Sequence, residues 1–200
     1  MNTMSAEQTR VSYENARVNL ELSWRFYQMS EVINNMKTRR SIRKYKPDMI
    51  PEDVLNRIIE AGTYAATGMG KQSPIIIAVT NKEIRDKFSK MNAEIMGVDS
   101  DPFYGAPVVL VVLADKSVPT YVYDGSLVMG NLMLEAHALG IDSCWIHRAK
   151  EEFESAEGKE ILKSLGIEGD YEGIGHCILG YADGDKPQCK PRKDNWVYRV

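Results

Sequence analysis

The chain of 200 residues is missing the marks of several chemistries. It has three cysteines, Cys144, Cys177 and Cys189, with no CxxC pair among them. An odd, scattered set argues against a disulfide framework and against a thiolate metal site, and it suits a reducing cytoplasm. There is no HExxH, no GxSxG, no Walker loop and no GxGxxG behind a strand. Metalloprotease, hydrolase, P-loop and Rossmann dehydrogenase readings therefore lack their motifs. The longest clean apolar run, Ala106–Ala114, is far too short to cross a bilayer. The first two dozen residues lack the apolar stretch of a signal peptide, so export by that route is not expected. Repeats, low-complexity tracts and linkers are missing too. A net charge of −3 gives the surface as a whole no pull on nucleic acid or anionic membrane.

What is present is an ordinary soluble composition, 44% apolar and 26% charged, which can bury a core without staples. The length suits one domain with an appended segment. Charge is unevenly placed. Residues 37–46, KTRRSIRKYK, hold six Lys or Arg and no acid; setting these six aside leaves −9 on the rest.

Periodicity divides the chain. Residues 5–28 form a polar amphipathic pattern with Val11, Val18, Leu22 and Phe26 on one side, read as a helical N-terminal extension before a domain at 29–200. Ser30 can cap a short helix carrying Val32, Ile33 and Met36. Pro51 at a first helical position, followed by Glu52 and Asp53, opens a helix with the stripe Val54, Leu55, Ile58, Ile59, Gly62. A glycine-containing loop at 67–73 leads to a strand at Ile75–Thr80, and Ile84, Phe88, Met91 and Ile95 mark the next helix. Val108–Ala114 reads as a central strand, apolar on both faces. Asp124–Leu139 is so apolar that it predicts the most buried helix, closed by Gly140. Strands at Ile141–Ile146 and Gly173–Tyr181 flank a helix at Ser155–Leu165, and a basic tail ends the chain. The mixture predicts an α+β domain, a sheet with helices on its faces and the 124–139 helix at its middle.

The basic turn is the strongest chemical clue. Guanidinium groups offer paired N–H donors that match phosphate oxygens, and Ser41 adds a short hydroxyl. Composition alone leaves a phosphate cradle, a solvated charged face and a nucleic-acid patch all open. Lys190 and Arg192, two apart in an extended, Pro-flanked tail, would point the same way as a second phosphate pair. The small residues in Ala66-Thr67-Gly68-Met69-Gly70-Lys71-Gln72 would let backbone pass close to something flat, or would simply make a turn. Ser143-Cys144-Trp145-Ile146-His147 ends a strand, where backbone N–H groups lose their sheet partners. A lone histidine such as His147 is more often structural than catalytic. His137, in mid-helix, and His176, in mid-strand, read as core or edge residues.

In this order, over roughly Glu31 to Arg192, the segments resemble the FMN-dependent nitroreductase family. The resemblance rests on Arg39-Arg40-Ser41-Ile42-Arg43-Lys44-Tyr45 after a short helix and on the Thr67–Gln72 loop before an apolar strand. It rests further on Tyr104-Gly105-Ala106-Pro107 running into VVLVVLA, the helix and strand that follow, and Lys190-Pro191-Arg192 near the end. It implies an obligate homodimer with one FMN per subunit. Arg39, Ser41 and Arg43, with Lys190 and Arg192, would hold the phosphate and ribityl chain, and Arg40 would lie near the flavin. Ala66, Thr67, Gly68 and Gly70 would come from the partner subunit. Trp145, Ile146 and His147 would pass the isoalloxazine, with a backbone N–H at about His147 reaching N5. The implied reaction is a ping-pong transfer of two electrons from NAD(P)H to nitroaromatics, quinones or similar acceptors. It needs no catalytic side chain and no metal. The chain departs from the family at Gly70, often Asn, at Ser73, often Pro, and at His147, often acidic. A flavoenzyme of the same fold with a specialised or oxidising reaction, a flavin-storing or sensing protein and a nucleic-acid module using 37–46 are the alternatives. The −9 balance elsewhere and the few aromatics near the patch argue against the last.

Overall fold

The structure is a computed structural model, and it describes residues 7, 13–15, 17–20 and 31–200. The chain divides into two compact units, Met1–Thr38 and Arg39–Val200. In the first, the described residues 7, 13–15, 17–20 and 31–38 are helical, and Val32, Ile33 and Met36 are exposed. Most of the helix predicted at 5–28 lies outside the described residues, as do Ser30 and the expected boundary at 28/29.

The second unit carries the fold. Its helices are α1 (Glu52–Thr63), α2 (Lys82–Met96), α3 (Tyr121–Ala138), α4 (Ala149–Glu154) and α5 (Ala156–Ser164). Its strands are β1 (Pro74–Val79), β2 (Val108–Asp115), β3 (Asp142–Ile146) and β4 (Tyr171–Gly180). They form one antiparallel sheet in the order β1-β2-β4-β3. The sequence explains the centre. Along β2 every residue from Val108 to Ala114 is fully buried, because alternate side chains feed two different cores. Val108, Leu110, Val112 and Ala114 join a cluster with Leu55, Ile58, Met129 and Leu132, the α1/α3 side. Val109, Val111 and Leu113 join another with Phe88, Met91, Phe153 and Leu162, the side of α2, α4 and α5. In β4 the register slips by one residue at Ile174, a bulge beside Val112 and Leu113.

Three expectations need correcting. First, His137 sits in the last turn of α3 rather than mid-helix. Along the helix itself Asp124, Gly125, Val128, Met129, Leu132 and Ala136 are covered, while among the described residues nothing covers Val122, Tyr123 and Leu127. Second, α2 does not turn the expected stripe inward. Ile84 and Ile95 are exposed, and the buried face includes Arg85, Ser89 and Asn92 alongside Phe88 and Met91. Third, Pro51 caps α1, which begins one residue later.

Candidate functional site

The basic segment enters the unit along an edge strand. Ser41 bridges Ser143 in parallel, Ile42 N–H donates to Ser143 O at 3.1 Å, and Lys46 N–H donates to Tyr181 O at 2.9 Å. Extended backbone is thus laid from the start of β3 to the end of β4. This brings Arg39, Ser41 and Arg43 to the Cys144 thiol. Burial pushes that thiol up, while Arg43, a Ser41 hydrogen bond and Arg39 partly offset the rise. Arg39 and Arg40 also act on His137. Its pKa is lowered by burial and then by the positive charge of Lys186, with Asp142 opposing and both arginines adding to the fall.

Four buried side-chain polar atoms lack a hydrogen-bond partner among the described residues, and three lie on this segment or the strand beside it: Arg39 Nη1, Tyr45 Oη and Ser143 Oγ. Buried donors without acceptors are costly, about 1–3 kcal/mol each and more when charged. An anionic group rich in acceptor oxygens would satisfy the Arg39 guanidinium, with Ser143 Oγ on the strand that Ser41 bridges.

The second cluster is the 66–72 loop. A short 3-10 turn at Gly68–Gly70 contains Met69 at φ 53° and Gly70 at φ 65°. The left-handed conformation suits Gly70 and strains Met69, whose side chain is exposed. Asp124, at the start of α3, pins the loop: Oδ1 accepts from Gly68 N–H at 3.0 Å, and Oδ2 accepts from Ser73 Oγ at 2.8 Å and Thr120 Oγ1 at 3.1 Å. Burial works to raise the Asp124 pKa, but these three donors outweigh it and hold the carboxyl below its usual range. Thr67 Oγ1 accepts from Gln72 N–H, and Thr67 and Gln72 line a cleft of about 410 Å³ between α1, β1 and α3.

These two clusters do not meet within one chain. Asp124 marks one end of α3 and His137 the other, about 20 Å apart at roughly 1.5 Å of rise per residue. The tail is not drawn to the arginines either. Lys190 and Arg192 are exposed, and Arg192 donates to Lys190 O at 3.1 Å and Cys189 Sγ at 3.4 Å, within the tail. The C-terminal cation that acts on His137 together with Arg39 and Arg40 is Lys186, paired with Asp142 at 2.6 Å. Sequence reading missed it because it has no Lys-x-Arg spacing.

Trp145 lies in β3 with its indole Nε1 against Gly175, where a Cβ would approach within 2.2 Å. The ladder ends at Ile146, paired with His176, so His147 follows directly beyond it and is exposed. Its carbonyl accepts from Asn92 Nδ2 at 2.8 Å. Asn92 belongs to a buried group with Glu152 and His176; the pattern offered only His176, as a core or edge residue, and gave no sign of the other two.

The comparisons bear on this arrangement. The family model described as the nitroreductase family matches residues 36–102 and 94–181, which include the arginine segment, the loop and β3. The chain belongs to the nitroreductase family. It resembles the structure of a nitroreductase with bound FMN from Bacteroides fragilis, at TM-score 0.76 and 30% identity, over 85% of this chain and 98% of that one. A nitroreductase with bound FMN from Desulfitobacterium hafniense gives the same TM-score and coverage at 28% identity. Among curated relatives, an FMN reductase [NAD(P)H] of Bacillus subtilis is 28% identical over 181 residues, 82% of this chain and 70% of that protein. A Methanothermobacter thermautotrophicus relative, named for NADH dehydrogenase and NAD(P)H nitroreductase activity, is 30% identical over 124 residues. That match spans 58% of this chain and 60% of the relative.

Proposed function

We propose that this nitroreductase-family chain holds one FMN per subunit and passes electron pairs from NAD(P)H to small oxidised organic acceptors, nitroaromatics and quinones among them. The enzyme class and the cofactor follow from family membership; the acceptors and the ping-pong order are inferred from the chemistry. The single observation carrying the reading is the set of unpartnered buried donors at Arg39 and Ser143 on the Ser41–Ser143 bridge.

FMN supplies hydride acceptance at N5 and electron release to a second substrate in the same pocket. The protein binds, orients and excludes water. Arg39, Ser41 and Arg43 would hold the phosphate, with Arg40 nearby; Lys190 and Arg192, which bond within their own tail in the single chain, would have to swing in to join them. The N–H of His147, just past the last ladder pair of β3, would be the donor offered to N5, with Trp145 and Ile146 leading into it. Positive charge and a fixed donor there would favour the reduced ring. No side chain is needed as nucleophile.

Two chains complete each site. Ala66, Thr67, Gly68 and Gly70 lie at the far end of α3 from Arg39, so they serve the partner's flavin. The exposed apolar residues Tyr64, Met69, Tyr123 and Leu127 support such a dimer, since a lone chain would leave them wet. Three unpaired cysteines support a cytoplasmic setting, and no described helix is long and apolar enough to cross a membrane.

Incubation with FMN followed by gel filtration tests the reading. A yellow protein that consumes NADH or NADPH with a nitro compound is expected. Colourless protein overturns the cofactor assignment. Yellow protein without turnover points to the specialised reaction or to a flavin store.

A further inference from the structure

Three fully buried polar side chains from three different elements converge behind the β3–α4 turn. Asn92 comes from α2, Glu152 from α4 and His176 from β4, and each has 0% exposure. His176 Nε2 lies 3.0 Å from Glu152 Oε2, and a carboxylate can only accept, so the imidazole donates. Glu152 Oε1 accepts one proton of the Asn92 amide, and His147 O accepts the other at 2.8 Å. The Asn92 carbonyl oxygen accepts from Arg148 Nε at 2.9 Å. Every amide atom of Asn92 is therefore committed, which fixes its rotamer and flip state. Phe103 and Phe88 pack on the imidazole at ring-centroid distances of 5.1 and 6.3 Å, and leave no water-facing alternative.

The target of this network is a short piece of backbone. Arg148 sits at φ 77°, a left-handed conformation that a non-glycine residue holds only when its surroundings impose it. Arg148 O in turn accepts from Glu152 N–H at 3.1 Å, closing the loop on α4. A buried carboxylate, histidine and amide are expensive, the more so as His176 Nδ1 has no partner among the described residues, and a hydrophobic trio would fill the space at less desolvation cost. Their use is geometric: they grip the His147–Arg148 peptide from the side away from solvent.

We propose that Asn92, Glu152 and His176 are positioning residues: by fixing the His147–Arg148 peptide through His147 O they restrict the backbone angles of His147, hence where its N–H on the preceding peptide points, and through it the reduction potential of the flavin, with Arg148 as the strained latch. This rests on the reading above that places His147 at N5, but the clamp can be tested with and without cofactor.

The test uses the full chain as wild type, Asn92→Leu, Glu152→Leu, Glu152→Gln and Arg148→Met, the last removing the donor to Asn92 while keeping the left-handed strain. In the apoprotein, amide exchange across residues 146–149 is expected to accelerate about tenfold or more in Asn92→Leu, Glu152→Leu and Arg148→Met, as local opening gets cheaper. Glu152→Gln keeps an acceptor for Asn92 and, with the imidazole in its other tautomer, a partner for His176 Nε2, so it stays closer to wild type than Glu152→Leu. In FMN-loaded protein the three clamp-breaking variants should bind reduced flavin about tenfold less well relative to oxidised flavin, a fall of about 30 mV for a two-electron couple. Affinity for oxidised FMN, dominated by the distant phosphate, should change far less. Arg148→Met leaves the buried trio in place and carries the test if Asn92→Leu fails to fold. Unchanged exchange and unchanged potential in folded variants overturn the proposal. Faster exchange with an unchanged potential overturns its link to the flavin. A wild type that takes up no FMN overturns the function proposed above, and the redox link with it.

Discussion

At the scale of single residues, the arginine segment is organised around donors that lack acceptors. Arg39 Nη1 is buried and unpartnered, so its guanidinium is held ready at a cost to the free protein. Arg39→Ala should weaken FMN binding about 10- to 100-fold, the loss of one charge-assisted contact worth about 1.5–3 kcal/mol, with little loss of apoprotein stability. Fluorescence titration and thermal melts check the two halves. The cysteines give a second residue-scale outcome. Burial pushes the Cys144 and Cys177 thiols up, and Cys189 is exposed, so alkylation of the native protein should label Cys189 alone; mass spectrometry reads this directly. The carboxyl of Asp124 is held low by donors in the fold, so its contribution is complete above the ordinary carboxylate range. It is lost as pH falls through the depressed folded value. Asp124→Ala should cost about 3 kcal/mol at neutral pH by orphaning Gly68, Ser73 and Thr120, and should flatten the wild-type loss of stability below about pH 4. Denaturant melts across pH measure both. Few of these partners were legible in the sequence. A polar residue such as Asn92, Glu152 or Asp124 scores as surface in any hydrophobic pattern, and only three-dimensional pairing shows it to be buried.

At the scale of elements, apolar runs were read well where both faces are covered. Val108–Ala114 gave β2 within a residue, because an unbroken apolar strand has few other places to go. Helices were found, but their orientation was less secure. On α2 the isoleucines at 84 and 95 suggested a face that the structure turns outward, since Arg85, Ser89 and Asn92 bond internally and rotate the buried stripe. The short helix α4 was missed, because six residues with one large apolar side chain, Phe153, carry no period. The all-round apolarity of α3 pointed to the most buried helix, and in the structure Val122, Tyr123 and Leu127 along it stay exposed. Leu127→Glu there should shift a dimer toward monomer and reduce FMN retention together, with far-UV circular dichroism unchanged; analytical ultracentrifugation and flavin absorbance check this. A variant that stays dimeric and fully loaded would remove the α3 face from the interface.

At the scale of the whole molecule, one chain holds two clusters about 20 Å apart along α3. The arginine cradle and β3 edge lie at one end, and the Asp124-pinned loop at the other. The family resemblance implied both clusters and assigned the loop to the partner subunit, but it gave no distance between them within one chain. The tail at Lys190 and Arg192, expected beside Arg39, keeps to itself in the single chain, and Lys186 is the C-terminal cation that shares His137 with Arg39. The account therefore hinges on two chains sharing two flavins and on a donor reaching them. The most direct measurement is an anaerobic titration of the FMN-incubated, gel-filtered protein with NADH and then NADPH, followed by visible absorbance with molar mass recorded on the same sample. One FMN per chain, a dimeric mass and bleaching of the flavin bands by one equivalent of at least one nicotinamide are predicted. A protein that emerges without flavin, or keeps its yellow colour under both donors, contradicts the account.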